Sequence, residues 1–157
     1  SFARQGRASE RGIIMKIVEV KTSNAAPAEK VWSVLADFGG FLNWAGGGQG
    51  EIRIEGDGIG MIRHLKMGVG EIGEKLTVLD QGERQLGYEI VYGDPIGMKT
   101  YSALVTVSPV SDGTSELSWR GQFEPVMPGS EDQVAEALEA AFVAMNQALE
   151  SHVQGLN

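Results

Sequence analysis

The stretch SEDQVAEALEAAFVAMNQALESHV, residues 130–153, closes the chain and decides its fold. Val134, Leu138, Ala141, Phe142, Met145 and Leu149 recur in it at helical spacing, so an α-helix formed here carries one continuous apolar stripe. Ser130 and Gln133 have the form of a capping box, and Glu131 and Asp132 suit a helix N-terminus, where amide N–H groups point outward. Glu136, Glu139 and Glu150 read as a solvated face. A stripe of this length needs a surface to cover, and the chain before it offers strands. A long helix lying across a curved antiparallel sheet leaves an enclosed space between the two.

Working outward, residues 51–55, 59–66, 71–79, 86–92, 98–107 and 115–123 read as strands. Short glycine-bearing links separate them, as hairpins prefer: Gly56-Asp57-Gly58, Gly68-Val69, Gln81-Gly82-Glu83, Gly93-Asp94-Pro95 and Asp112-Gly113. Residues 15–21 alternate imperfectly and form a first strand. Pro27 suits the first position of a helix, with Val31, Val34, Leu35 and Phe38 forming its stripe and Trp32 at the border. Gly39 and Gly40 interrupt it. Phe41, Leu42 and Trp44 then suggest a second short helical turn, and Trp44 with residues 45–50 reads as a surface loop or an entrance gate. The expected class is α+β: a curved seven-stranded antiparallel sheet wrapped around a long C-terminal helix, with two short helices between the first and second strands.

At 157 residues and 42% hydrophobic content, one domain over 15–157 can bury a core without covalent staples. Residues 1–14 mix Arg4, Arg7 and Arg11 with small polar residues and read as a disordered tail, either vector-derived or an upstream extension before a start at Met15. The absence of cysteine excludes disulfides and thiolate catalysis. A net charge of -8 disfavours nucleic acid and anionic membrane surfaces, which would repel the chain at long range. No apolar run reaches the roughly 18 residues that read as a membrane span, and cytoplasmic residence is the default expectation for a sequence showing no export signal.

The segments Ala26-Pro27-Ala28-Glu29-Lys30-Val31-Trp32, Asp37-Phe38, Gly58-Ile59-Gly60-Met61-Ile62-Arg63 and Glu74-Lys75-Leu76, followed by Tyr88 and Trp119, resemble the START-like, Bet v 1-like and polyketide cyclase-like superfamily in order and spacing. The resemblance covers about residues 15–153. It implies a helix-grip fold that holds a hydrophobic or amphipathic small molecule between sheet and helix. Some members catalyse on such molecules, while others act as carriers, receptors or chaperone-associated modules.

Parity alone singles out one pair. With Gly68-Val69 as a two-residue turn, Met67 faces Gly70, Leu65 faces Ile72, Arg63 faces Glu74, Met61 faces Leu76 and Ile59 faces Val78. Apart from Arg63 and Glu74 that face is apolar, while the other pairs Lys66 with Glu71, His64 with Gly73 and Ile62 with Lys75. The first face is therefore the inner one, and it carries opposite charges directly across two strands. The pair is either a structural ion pair or a polar anchor in a pocket, where the guanidinium fork would meet a ligand carboxylate, hydroxyl or carbonyl. The same parity turns Tyr88, Ile90 and Tyr92 inward, with Tyr101, Ala103, Val105 and Val107, and with Leu117, Trp119, Gly121 and Phe123. Ala103 and Gly121 beside Tyr101 and Trp119 leave room. The candidate ligand-binding set is Arg63, Glu74, Tyr88, Tyr101, Trp119, Phe142 and Met145, with ordinary core packing the alternative for Trp119 and Phe142.

Other chemistries lack parts. The glycine clusters at 46–50 and 56–60 lead into strands without a following Gly-Lys-Ser/Thr, which argues against phosphate binding. His64 and His152 have no partner at ligand spacing, so neither metal nor cofactor is expected. No nucleophile elbow is present. Acid–base chemistry remains, with Glu74 the one inward carboxylate, suited to a base or positioning role, and Tyr88 or Tyr101 able to polarise a carbonyl. Three functions follow: a binder of a hydrophobic or amphipathic small molecule, a cyclase or dehydratase working in the same cavity, and a protein-interaction module. A homodimer is left open.

Overall fold

The computed structural model describes residues 15–68 and 70–156. The expected tail at 1–14, the turn residue Val69 and the final Asn157 lie outside them. Strand β1 (Lys16–Asn24) leads to helix α1 (Ala28–Leu35) and to 3-10 turns at Phe38–Asn43 and Gly46–Gly48. Then follow β2 (Glu51–Glu55), β3 (Ile62–Lys66), β4 (Glu71–Asp80), β5 (Gln85–Tyr92), β6 (Met98–Ser111) and β7 (Thr114–Pro125), and helix α2 (Glu131–Gln154) ends the chain. The strands form one curved antiparallel sheet in the order β1-β7-β6-β5-β4-β3-β2, the helix-grip architecture. Hairpins join β2 to β7 in succession, so only β1 is paired out of sequence, against the last strand.

The first helix begins one residue later than its proline suggests. Pro27 is the N-cap, in extended backbone with φ -63° and ψ 147°, and its carbonyl accepts from Lys30 and Val31. Ala28, Val31, Trp32 and Leu35 bury one face of α1. Trp44 is only 8% exposed and packs edge-on against Phe41 and Trp119. It belongs to the core, which corrects its reading as loop or gate.

Helix α2 lies along β1 in the same direction. Lys16 Nζ meets Asp132 Oδ1 at 3.2 Å at the start, Asn146 Nδ2 donates to Thr22 Oγ1 at 3.0 Å, and the Ala25 amide donates to Glu150 Oε2 at 3.0 Å near the end. Val134, Leu138, Phe142, Leu149 and Val153 bury the apolar stripe, interrupted by buried Asn146. The capping box does not form. Ser130 Oγ donates instead to the Met127 carbonyl at 2.7 Å, closing the turn before the helix, and makes no side-chain cap.

Two irregularities between β4 and β5 break strict alternation. Glu74 pairs with Ile90 and Gly73 with Tyr92, so Val91 is an extra residue on β5; Leu76 pairs with Tyr88 and Val78 with Gly87, so Thr77 is extra on β4. Tyr92 is thereby turned to the outer face, a correction to its inward assignment. Its ring lies over Gly73, where a Cβ would come within 2.2 Å of it. Strand β3 also starts later than expected: Gly58 and Gly60 have φ of +67° and +96°, and Ile59 between them is exposed and unpaired with Val78.

Candidate functional site

From Ile62 to Lys66 the β3–β4 register agrees with the parity argument, and Arg63 pairs with Glu74. Arg63 Nε donates to Glu74 Oε1 at 2.7 Å, with both side chains almost wholly buried. The cation is held further by the turn after α1. Arg63 Nη1 donates to the Phe38 carbonyl at 3.0 Å, and the guanidinium carbon lies 3.9 Å from the Phe38 ring centre, 4.3 Å from that of Phe41 and 5.3 Å from that of Tyr88. A carboxylate, a carbonyl and aromatic faces replace part of the water that a buried guanidinium loses.

Beside the ion pair is a cluster of hydroxyl and indole groups. Tyr88 Oη and Tyr101 Oη are 3.1 Å apart, and Trp119 Nε1 donates to Tyr88 Oη at 3.3 Å. Desolvation, reinforced by the charge of Glu74, pushes the Tyr88 phenol far above its ordinary 10.0. Desolvation followed by the neighbouring Tyr88 does the same for Tyr101. Both are neutral O–H groups at any physiological pH, available as donors and unfit as bases.

The ion pair and the two phenols border a cavity of about 390 Å³ between the sheet and the middle of α2. Arg63, Glu74, Tyr88 and Tyr101 form its polar side; Leu65, Ile72, Ile90, Ile96 and Met98 extend it with hydrocarbon; Leu138, Ala141 and Met145 come from the helix. Exposed residues at Met67, Gly70 and Glu71 on one hairpin and at Asp94 and Pro95 on the β5–β6 loop flank the mouth. That loop is fixed by Asp94, whose Oδ1 accepts from the amides of Gly97 and Met98 at 2.7 and 2.8 Å.

Trp119 and Phe142, placed in the ligand-binding set from the sequence, do not border this cavity. Their rings pack at 5.8 Å behind it and are fully buried. Nor does Gly121 leave room: a Cβ there would come within 2.8 Å of Phe142 Cζ and 3.0 Å of Tyr101 Cε1, so the missing side chain seats these two rings. The sequence reading missed Phe41 and Ile96. For Phe41 the Phe38-Gly-Gly-Phe41 spacing was the available signal, while nothing local marks Ile96. His64 faces outward, away from Arg63, with Nε2 2.9 Å from Glu55 Oε1 and Nδ1 2.6 Å from Tyr92 Oη.

Residues 15–154 match the family model for polyketide cyclase / dehydrase and lipid transport proteins. The chain belongs to this family. MLP-like protein 423 of Arabidopsis thaliana is 31% identical over 123 residues, covering 72% of this chain and 76% of that protein. Norcoclaurine synthase from Thalictrum flavum, solved in complex with dopamine and hydroxybenzaldehyde, superposes with a TM-score of 0.77 at 19% identity, over 94% of this chain and 91% of the other. The Zhui aromatase/cyclase from Streptomyces gives a TM-score of 0.69 at 24% identity, covering 90% and 93%. These two likenesses are of fold. The family membership agrees with the START-like and Bet v 1-like resemblance read from the residues. No helix among the described residues is long and apolar enough to cross a membrane.

Proposed function

We propose that the protein binds a hydrophobic or amphipathic small molecule in the cavity between β3–β6 and α2. The observation that carries this reading is the cavity itself. Its volume of about 390 Å³ falls within the roughly 300–1,000 Å³ of small-molecule sites, and hydrocarbon walls with a few convergent polar groups are what such sites use. Membership of a family described by lipid transport as well as by cyclase and dehydrase activity supports it. Arg63 and Glu74 belong to the polar end, Met145 and Leu138 to the apolar wall.

Native mass spectrometry of the purified protein, with thermal shift against a library of lipophiles, tests the reading. Adducts of small-molecule mass and a rise of several degrees for at least one apolar compound are expected, because ligand binding to the folded state alone raises its stability. A library without a single shift, and a protein that flies without adducts, would contradict it.

A second reading is acid–base turnover of the bound molecule. What favours it is that Glu74 and the neutral phenols Tyr88 and Tyr101 face the same cavity, a carboxylate beside donors able to polarise a carbonyl. The cyclase and norcoclaurine synthase likenesses in fold lend it weight. Binding remains the first choice, since one carboxylate held by an arginine is sparse equipment for catalysis.

A further inference from the structure

The polar groups at the cavity can be counted by what each still has to offer. Of the five N–H groups of Arg63, that on Nε goes to Glu74 and one on Nη1 to the Phe38 carbonyl, and the rings of Phe38, Phe41 and Tyr88 lie around its guanidinium. Its charge is balanced by Glu74 at 2.7 Å, so the pair has no net charge to attract an anion, and the carboxylates of Glu71 and Asp94 at the mouth repel one. An incoming carboxylate would have to shed its water to meet a cation already matched, beside the like charge of Glu74.

The phenols are different. Trp119 Nε1–H, Tyr88 O–H and Tyr101 O–H are three donors, and the acceptors among them are the two phenolic oxygens. Trp119 donates to Tyr88. If Tyr88 then donates to Tyr101, the Tyr101 proton is left over; if Tyr101 donates to Tyr88, the Tyr88 proton is left over. Among the described residues no carbonyl or carboxylate accepts from either phenol, and both border the cavity. In either arrangement one O–H remains for whatever occupies the space.

We infer that the cavity selects an uncharged lipophile bearing a hydrogen-bond-accepting oxygen, such as a ketone, ester or ether, seated on the spare proton of the Tyr88–Tyr101 pair, and discriminates against carboxylates. This rests on the proposal that the cavity binds a lipophile at all. The proton count adds a signature that a mere packing role for the tyrosines would lack. Tyr88→Phe leaves the Tyr101 hydroxyl free, and Tyr101→Phe leaves that of Tyr88, so each single variant keeps a donor and only the double variant loses it.

The experiment uses the full chain and displacement of the neutral fluorophore N-phenyl-1-naphthylamine by butylbenzene, butyrophenone and phenylbutyrate at neutral pH. Butyrophenone is expected to compete at least tenfold better than phenylbutyrate. Its affinity relative to butylbenzene should fall about fivefold to tenfold in the double variant, the loss of one hydrogen bond, and by less than twofold in either single variant. The infrared carbonyl stretch of isotopically labelled butyrophenone bound to the unsubstituted protein should be red-shifted from its position in hexane, a readout that needs no variant to fold. A carbonyl stretch at the hydrocarbon position, or phenylbutyrate competing as well as the ketone, would overturn the inference while leaving lipophile binding intact. Failure of the fluorophore and of all three competitors to bind would overturn the binding proposal beneath it.

Discussion

Arg63 shows how a buried charge is accommodated here. Its ion pair with Glu74 has little intrinsic worth once desolvation is counted; the Phe38 carbonyl and the aromatic faces replace a further part of its hydration. The pairing was legible in the sequence because alternation has a period of two and the turn sets the register, so the one inward charge on β3 could only meet the one on β4. The Phe38 carbonyl was not legible, since which carbonyl approaches a guanidinium depends on how the turn after α1 docks on the sheet. The tyrosines carry a prediction at this scale. Tyr88 and Tyr101 ionise far above 10.0 when folded and near it when unfolded, so above about pH 10 the unfolded chain binds fewer protons than the folded one. Stability is then fully kept below pH 10 and lost as pH rises beyond it, with each phenol contributing a slope of up to about 1.4 kcal/mol per pH unit. Denaturant unfolding at pH 9 to 11 should show this decline, and Tyr88→Phe with Tyr101→Phe should flatten it; equal slopes in the two proteins would contradict the burial of the phenols.

Helix α2 and strands β4 to β7 show where periodicity succeeds and where it fails. The helical stripe from Val134 to Leu149 and the inward run from Leu117 to Phe123 follow their periods and are buried as expected. Tyr92 departs because an extra residue at Val91 shifts the phase of β5, and a bulge is set by sheet curvature and cross-strand packing, with no sure sign in the strand's own residues. Gly121 was visible as a gap in the inward face of β7, yet the sequence could not say whether that gap stays empty or receives a ring from the helix. It receives Phe142. Gly121→Ala should therefore cost about 1–3 kcal/mol, as overpacking does, because the new methyl would meet Phe142 and Tyr101 at 2.8 and 3.0 Å. Urea unfolding measures it, and an unchanged midpoint would mean that α2 is not seated on β7 as described.

For the molecule as a whole, the helix grips one end of the sheet and leaves the other hollow. Leu149 and Val153 are sealed against the core, while Leu138, Ala141 and Met145 face β3 to β6 across the cavity. The fold class was readable because a single amphipathic helix after a run of hairpins has few ways to bury its stripe. The position of the hollow was not, since of the small residues that suggested it Gly121 lies where Phe142 and Tyr101 already fill the space, and Ala103 does not border the cavity. Ala141 gives access to the claim on which the functional account depends. Ala141→Trp would place an indole in the cavity from the helix side, and the measurement is titration of N-phenyl-1-naphthylamine into this variant and the unsubstituted protein, with the thermal midpoint of each recorded. The expected result is saturable binding to the unsubstituted protein and loss of at least tenfold in affinity for a variant that still unfolds cooperatively. Equal affinity in the two proteins would place the lipophile elsewhere and contradict the account.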